Sequence, residues 1–305
     1  MSALLGLKVD VCTYDGLRVG VPNLLRLFDR QGVRASFFVA LGPDTTGRAI
    51  LRALRPGFLA KMRRTSAIRT YGLRTILSGT LLPSRHMGRR LAPLLRQVVG
   101  AGHELAIHGY DHRRWQDRLP RMGEGAVREE IAHAVTVYQE ATGRGPRGFG
   151  APGWQVSAAS LRILDEVGFV YASDTRGKRP FFPRVDGRSL RTLQLPTTFP
   201  TLDEVLGWGG LDGEGFVTLV RREAGTTAWA VLTLHAEMEG VRHQDVTDRL
   251  LQALRSDGMA CAPLEVLAAR IHEEGEEKIP VADVVLRPLR GRAGTVAMPA
   301  GLEVN

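Results

Sequence analysis

The chain has 305 residues, 44% of them hydrophobic, and a formal net charge of +9. This length can bury a large core and suits one βα domain of barrel size better than two small domains. No run reaches the roughly 20 apolar residues that span a bilayer, and the N-terminus shows no signal peptide pattern. The chain has two cysteines, Cys12 and Cys261, so a disulfide framework is not expected and a reducing cytoplasm is the default compartment.

Short apolar runs alternate with helical patterns from the N-terminus onward. The run 5–11 predicts a first strand, a helix starts at Val21 with Pro in its first turn, and 35–40 predicts a second strand. Further strands are predicted to end at Ile107, Asp174, His235 and Ala262, and further helices to cover 89–99, 121–142, 157–167, 245–256 and 263–274. This alternation predicts a parallel α/β fold, an irregular (β/α) barrel, over residues 1–277. Residues 278–305 have no clear period and are predicted to form a C-terminal tail.

A long basic segment interrupts this pattern. From Thr45 to His103 there is no Asp or Glu, while twelve Lys and Arg residues are interspersed with apolar ones. Such a segment favours an anionic membrane surface, where each nearby cation contributes about 1 kcal/mol. An ordinary basic surface and a nucleic-acid site are the alternatives. Because no recognition motif or stacking aromatics accompany the charge, nucleic acid is disfavoured and we predict that 45–103 is a membrane-facing insertion.

The histidines His108 and His112 are the strongest chemical signal. Two imidazoles four residues apart on one helical turn lie on the same side and can share a metal ion. They follow the apolar stretch 103–107, which predicts a strand end, where βα folds place their chemistry. Other polar groups also stand at predicted strand ends, namely Asp10 with Cys12, Asp174, and His235 with Glu237. Together they supply metal ligands, a base and an acid, which are the parts of a metal-assisted hydrolase.

Several motifs along the chain can be compared with known families. They include Lys8-Val9-Asp10-Val11-Cys12, Tyr71-Gly72, His108-Gly109-Tyr110-Asp111-His112, Gly153-Trp154, Ser173-Asp174-Thr175-Arg176-Gly177, Pro200-Thr201-Leu202-Asp203-Glu204-Val205 and His235-Ala236-Glu237-Met238-Glu239-Gly240. On these motifs the sequence resembles the polysaccharide deacetylase (NodB-homology) family from Leu5 to the C-terminal tail. More closely, it resembles the 4-deoxy-4-formamido-L-arabinose-phosphoundecaprenol deformylases of lipid A modification. The resemblance implies a NodB-type barrel and a metal-dependent hydrolase of amide bonds.

The resemblance also implies roles for single residues. Asp10 corresponds to the family's catalytic base, His108 and His112 to two metal ligands, and His235 to the general acid that Asp174 would orient. These roles suit amide hydrolysis, because an amide nitrogen leaves poorly unless a positioned acid protonates it. A His held by a carboxylate is suited to that task.

Two positions depart from the family's pattern. The family's third metal ligand is an Asp, and here that position is Cys12. A Cys-His-His set would favour Zn²⁺ over harder ions, while Asp15 as the ligand or loss of the metal are the alternatives. The family's base-holding Arg is replaced by Gly150, and Arg147 or Arg176 could substitute for it.

Three residues are predicted to bind substrate, namely Trp154 as a wall of the sugar pocket, Arg176 and Glu237. A core position is the alternative for Trp154, and Glu239 is expected to be a solvated or structural carboxylate rather than a ligand of the product's amine. The leading hypothesis is an amidase at the cytoplasmic face of the inner membrane that deformylates an amino sugar on undecaprenyl phosphate. The alternatives are an N-deacetylase of another glycolipid or polysaccharide amino sugar, and a non-catalytic membrane-binding or glycan-binding homologue.

Overall fold

A computed structural model describes residues 4–47, 83–206, 211–225 and 229–302. Most of the basic segment predicted over 45–103, including Tyr71-Gly72, lies outside the described residues, so its membrane-facing character stays a prediction. Among the helices that are described, none is long and apolar enough to cross a bilayer.

The strands and helices follow one another in the predicted order. The strands are β1 (Leu4–Val11), β2 (Ser36–Val39), β3 (Glu104–Ile107), β4 (Gly148–Phe149), β5 (Tyr171–Ala172), β6 (Phe182–Val185), β7 (Arg188–Ser189), β8 (Leu193–Gln194), β9 (Ala230–His235), β10 (Ala260–Ala262), β11 (Val281–Pro288) and β12 (Thr295–Pro299). The helices are α1 (Val21–Gln31), α2 (Met87–Arg90), α3 (Ala92–Gly100), α4 (His112–Arg118), α5 (Glu124–Thr142), α6 (Ala158–Val167), α7 (Leu202–Val205), α8 (Gly213–Ala224), α9 (Gln244–Ser256) and α10 (Leu264–Glu274).

A parallel sheet forms the centre of the described fold. Its strands run in the order β10, β1, β2, β3, β4, β5, β8, and β9 also pairs with β1. All of these pairings are parallel, and the helices between the strands cover the sheet. The predicted α/β class, an irregular (β/α) barrel with a parallel sheet, is therefore confirmed. Parallel strands end on the same edge, so the loops that follow them meet there.

The apolar sequence of β1 accounts for its position at the centre of the sheet. It is buried over nearly its full length, as parallel strands covered on both faces are. Its neighbour α1 buries an apolar face that includes Leu24, Leu25 and Phe28. Within this apolar strand, Lys8 and Asp10 are nonetheless buried. Two charges inside a strand are costly unless they are paired, so they mark a functional or structural site.

The residues predicted as a C-terminal tail contain regular structure. Strands β11 and β12 form an antiparallel pair, and β11 runs parallel to β6 in a second sheet of order β12, β11, β6, β7. Strand β11 is mostly exposed, so it lacks the buried alternation that would have predicted it. The turn between β11 and β12 carries Arg292, which reaches the site described next.

Candidate metal centre and active site

The ends of β1, β3 and β9 bring the polar clusters together. Asp10 and His235 are direct partners across the β1–β9 pairing, at the carboxyl end of both strands. Cys12 follows β1, and His108 follows β3. Because β1 pairs with β9 and is separated from β3 only by β2, these side chains share one edge of the sheet.

Cys12, His108 and His112 form a compact group of metal-ligand atoms. One ligand atom from each lies within 4.8 Å of the other two, and the two imidazole centroids are 5.1 Å apart. A thiol and two imidazoles at this spacing fit a tetrahedral divalent metal with one position left open. The alternative ligand Asp15 instead has a carboxylate oxygen 3.1 Å from Arg18.

The histidine pair reaches this geometry without sharing a helical turn. His108 is the residue after β3, Gly109 turns the backbone with a φ of +73°, and His112 is the first residue of α4. The carboxylate of Asp111 caps α4 by accepting from the backbone N–H of Arg114 at 2.8 Å. The prediction of a shared helical turn is therefore wrong, although its spacing does place the imidazoles side by side. The left-handed backbone conformation of Gly109 instead brings the two imidazoles together, and glycine adopts this conformation without a steric penalty.

The ring of His108 is set up as a neutral ligand. Its Nδ1 lies 2.7 Å from the carbonyl oxygen of Gly150, to which it donates. That bond leaves Nε2 with the free lone pair, the usual arrangement for a metal-ligating imidazole. Burial, together with the charge of Lys8, outweighs Asp10 and lowers the pKa of His108 to about 4. At neutral pH the ring is uncharged and able to coordinate.

Glu237 holds the loop that presents Cys12. One carboxylate oxygen accepts from the backbone N–H groups of Cys12 and Thr13, both at 2.7 Å, and from the Thr13 hydroxyl at 3.0 Å. Burial and the neighbouring charges of Glu237 and Asp10 raise the pKa of the Cys12 thiol. Metal coordination would have to displace that proton. Glu237 was predicted to bind substrate. In the structure it is buried, and one of its carboxylate oxygens accepts hydrogen bonds from the loop that carries Cys12.

Lys8 is the cation that meets Asp10. Its Nζ lies 3.3 Å from Asp10 Oδ1 and donates to the carbonyl oxygen of Ser173 at 3.2 Å. Burial raises the pKa of Asp10, but Lys8, His108 and His235 outweigh it, so this pKa is lowered. The carboxylate is therefore ionised at neutral pH.

Lys8 also stands where a side chain from position 150 would point. A Cβ built on Gly150 would lie 3.4 Å from Lys8 Nζ and 2.7 Å from the ring of Phe38. The two predicted replacements for the family's Arg lie elsewhere, since Arg147 is exposed and Arg176 is bound to Glu204. Sequence reasoning overlooked Lys8, although a lysine inside an apolar strand, two residues before Asp10, is the signal that reveals it.

His235 faces Asp203 and not Asp174. The distance from His235 Nδ1 to Asp203 Oδ1 is 3.8 Å, and this nitrogen makes no hydrogen bond among the described residues. Asp174 accepts from the backbone N–H of Ala151 at 2.8 Å and from the Gln194 amide at 3.1 Å. Burial raises the pKa of Asp174 to about 6. The structure thus corrects the expected partner of His235, and Asp203 lies within a motif already quoted for the family resemblance.

The backbone of His235 is held by the carboxyl group of Glu239. Its N–H donates to Glu239 Oε2 at 2.9 Å, and burial raises the pKa of Glu239 to about 8. Glu239 is fully buried, so its expected structural character is consistent with this position.

Trp154 forms a wall behind His235. The ring is 2% exposed, its centroid lies 6.4 Å from that of His235, and its Nε1–H donates to Thr197 Oγ1 at 3.1 Å. Arg176 and Arg292 stack over the same ring at 4.9 and 4.2 Å. A large aromatic surface is therefore fixed beside the imidazole, with cations on it.

Arg176 acts as a clamp at this wall. Its guanidinium donates to both carboxylate oxygens of Glu204, at 2.7 and 3.0 Å, and to the carbonyl oxygens of Thr197 and Phe199. The side chain predicted to bind substrate is thus 5% exposed and engaged with the protein. Arg292 adds charge at the same place, 3.6 Å from Asp203 and 3.4 Å from Glu204.

Comparisons with known proteins agree with this architecture. The sequence profile described as polysaccharide deacetylase matches residues 7–172. The chain is 33% identical over 297 residues to the probable 4-deoxy-4-formamido-L-arabinose-phosphoundecaprenol deformylase ArnD of Shewanella sediminis, covering 97% of this chain and 95% of that protein. The probable deformylase ArnD of Wigglesworthia glossinidia brevipalpis is 28% identical over 284 residues, 92% of this chain and 97% of that protein. A solved structure from Mycobacterium smegmatis, itself assigned as a polysaccharide deacetylase, has a TM-score of 0.65 at 20% identity and covers 94% of this chain and 95% of its own. The chain belongs to the polysaccharide deacetylase family.

Proposed function

We propose that this protein is a zinc-dependent amidase that removes the formyl group from an amino sugar carried on undecaprenyl phosphate. The observation that carries the proposal is the group Cys12, His108 and His112 beside Asp10 and His235 at one end of the sheet. The acyl group and the lipid carrier come from the relatives, whose names describe a formamido sugar on phosphoundecaprenol. The products would be formate and a free amine on the lipid-linked sugar.

The chain's own residues divide the proton transfers between them. The Asp10 carboxylate is buried and ionised, with Oδ1 3.3 Å from Lys8 Nζ, so it can accept a proton from an attacking water. Lys8 keeps that carboxylate charged at its position. A divalent metal held by Cys12, His108 and His112 would acidify the water and polarise the amide carbonyl.

His235 would complete the reaction at the leaving nitrogen. Because Nδ1 faces Asp203, Nε2 is the atom left to donate a proton to the amine as the C–N bond breaks. Trp154, whose ring lies edge-on to the imidazole at 6.4 Å, closes one side of this space. Asp203 would orient the ring and stabilise its charged form, the arrangement that general acid catalysis by histidine uses.

The proposal also specifies the metal and the cellular compartment. A thiolate with two imidazoles favours Zn²⁺ over Mn²⁺ or Mg²⁺, because sulfur is a soft ligand. A polyprenyl-linked sugar resides in a bilayer, so the enzyme would work as a peripheral protein at the cytoplasmic face of the membrane. The basic segment over 45–103 would supply the attraction to anionic lipid.

Turnover of defined substrates tests the proposal. Purified protein should carry about one zinc ion and release formate from an N-formyl amino sugar linked to a polyprenyl phosphate. A His108→Ala variant should lose the metal and at least 100-fold in kcat/KM. Faster release of acetate from the N-acetyl analogue would point to an N-deacetylase instead. No turnover with any divalent metal, in protein that still binds the lipid-linked sugar, would favour a non-catalytic homologue.

A further inference from the structure

A cavity of about 740 Å³ lies next to the wall formed by Trp154. It is bounded by the segments that follow β5 and β8, by α7 and α8, and by β11 and β12 with the residues that follow each of them. Its apolar lining includes Leu211, Leu219, Leu289, Met298 and Leu302, and its cations are Arg176, Lys178, Arg287 and Arg290. Two carboxylates, Glu204 and Glu223, also line it.

We propose that this cavity binds the phosphate and the first isoprenoid units of the substrate's lipid carrier. The inference rests on the proposed function, because it takes a lipid-linked substrate as given. It assigns the carrier a place that is separate from the metal ligands and from the acid and base.

The charges in the lining favour an anion. Arg176 is compensated by Glu204 at 2.7 Å. The other lining residues with charge are three cations, Lys178, Arg287 and Arg290, and one carboxylate, Glu223. A sugar phosphodiester carries one negative charge, and guanidinium and ammonium groups are the side chains that bind phosphate oxygens most strongly.

The apolar part of the lining suits the hydrocarbon that follows the phosphate. Leu211, Leu219, Leu289, Met298 and Leu302 are all partly exposed. Half-buried apolar side chains grouped around a cavity and accompanied by polar groups are typical of a ligand site. The volume lies in the range of sites for small molecules. It would therefore hold the phosphate and the nearest isoprenoid units, while the rest of the chain stays in the bilayer.

The position of the cavity matches the covalent structure of such a substrate. Arg176 and Thr197 line the cavity on one side and contact Trp154 on the other, and Trp154 faces His235. In a sugar phospholipid the phosphate is attached directly to the sugar. A sugar placed at His235 therefore needs a phosphate site nearby, and Arg176 and Thr197, which line the cavity and contact Trp154, border both places.

Direct binding to the full-length protein tests this assignment without turnover. The probe is geranylgeranyl phosphate, and geranylgeraniol and inorganic phosphate are its uncharged and lipid-free counterparts. The variant Lys178→Gln/Arg287→Gln removes two cations from the lining, and Leu219→Gln changes the apolar wall. Arg188→Gln/Arg270→Gln is a matched control, because both residues are exposed and neither lines the cavity.

We expect the wild type and the control to bind geranylgeranyl phosphate equally, and geranylgeraniol at least tenfold more weakly. Both cavity variants should bind the phosphate probe at least tenfold more weakly at a temperature where circular dichroism shows that they are folded. Undiminished binding by Lys178→Gln/Arg287→Gln would overturn the assignment. Loss of binding to phosphatidylglycerol vesicles, with unchanged binding of the monomeric probe, would overturn it as well, since the cations would then serve the bilayer.

Formate release separates this inference from the proposed function. The ratio of kcat/KM for lipid-linked over lipid-free N-formyl sugar should fall at least tenfold in the cavity variants and stay unchanged in the control. Probe binding without any amide hydrolysis would keep the cavity and overturn the proposed function. Hydrolysis of the lipid-free sugar without probe binding would keep the amidase and overturn the cavity.

Discussion

Lys8 and Asp10 stand two residues apart on β1, and their charged groups lie 3.3 Å apart in a region closed to solvent. Alternate residues of a strand share one face, so the contact between Lys8 and Asp10 follows from the sequence of β1 alone. The pair thus places a cation beside Asp10 from within β1 itself. At Gly150 a Cβ would lie 2.7 Å from the ring of Phe38, so a larger side chain there would require that ring to shift.

Replacing Lys8 tests the importance of that charge. Lys8→Met keeps most of the volume but leaves Asp10 as an uncompensated buried carboxylate. We expect kcat to fall on the order of 100-fold and the free energy of unfolding to fall by about 3 kcal/mol. Formate release and urea denaturation measure the two effects. The double variant Lys8→Met/Asp10→Asn should regain most of the stability and none of the activity. Unchanged unfolding in the single variant would show that the pair is not coupled.

Substitutions at Cys12 test the third metal ligand. Cys12→Ala should weaken zinc binding by at least 100-fold, because two imidazoles alone hold the ion poorly. Cys12→Asp should keep a three-ligand site with a preference shifted from Zn²⁺ toward Mn²⁺, since an oxygen ligand is harder than sulfur. Competition with a chromophoric chelator measures the affinities. In the wild type, Co²⁺ should give a sulfur-to-metal charge-transfer band that both variants lack. Tight zinc binding by Cys12→Ala would mean that another residue, such as Asp15, is the third metal ligand.

Asp203 and Asp174 should respond differently to the same change. Asp203→Asn removes the carboxylate beside His235 Nδ1, and we expect kcat to fall by about 100-fold or more with little change in KM. Asp174→Asn removes an acceptor for the Ala151 N–H and the Gln194 amide, so its main effect should be on stability. Steady-state kinetics and thermal unfolding of both variants distinguish the two. The reverse pattern would return the orienting position to Asp174.

A buried carboxylate far from the metal ligands gives a pH dependence of stability. Burial, with the charge of Glu265, raises the pKa of Glu104 from 4.5 to about 7, against hydrogen bonds from Ser36 and Tyr171. The folded state therefore holds a proton that the unfolded chain releases above pH 4.5. This contribution to stability is present below pH 4.5, is lost between pH 4.5 and 7, and does not change further above that.

The variant Glu104→Gln should remove this dependence. The rise in pKa corresponds to roughly 3 kcal/mol at 1.36 kcal/mol per pKa unit. The wild type should thus lose about that much more unfolding free energy between pH 4.5 and pH 8 than the variant does. Urea denaturation at the two pH values gives the difference. Equal losses of unfolding free energy in the two proteins would mean that folding does not raise the pKa of Glu104.

Much of the site could be predicted because it depends on local sequence. Apolar runs predicted the strands that end near Asp10, His108 and His235, and parallel strands deliver their ends to one edge whatever the loops do. The spacing of the histidine pair also predicted their proximity, although a glycine turn and not a helix produces it. Short strands such as β4, β7 and β8, each of two residues, carry too little periodicity to be predicted.

By itself, the sequence determined the α/β class, the order of the strands and the residue types that end them, because periodicity and covalent neighbours are local properties. It also held the motifs that place the chain in its family. Only the tertiary structure decided that Asp203 and not Asp174 faces His235, and that Arg292 from a predicted tail covers Trp154. These contacts join residues from separate elements, and their distances depend on sheet order and loop paths. No single stretch of sequence encodes either.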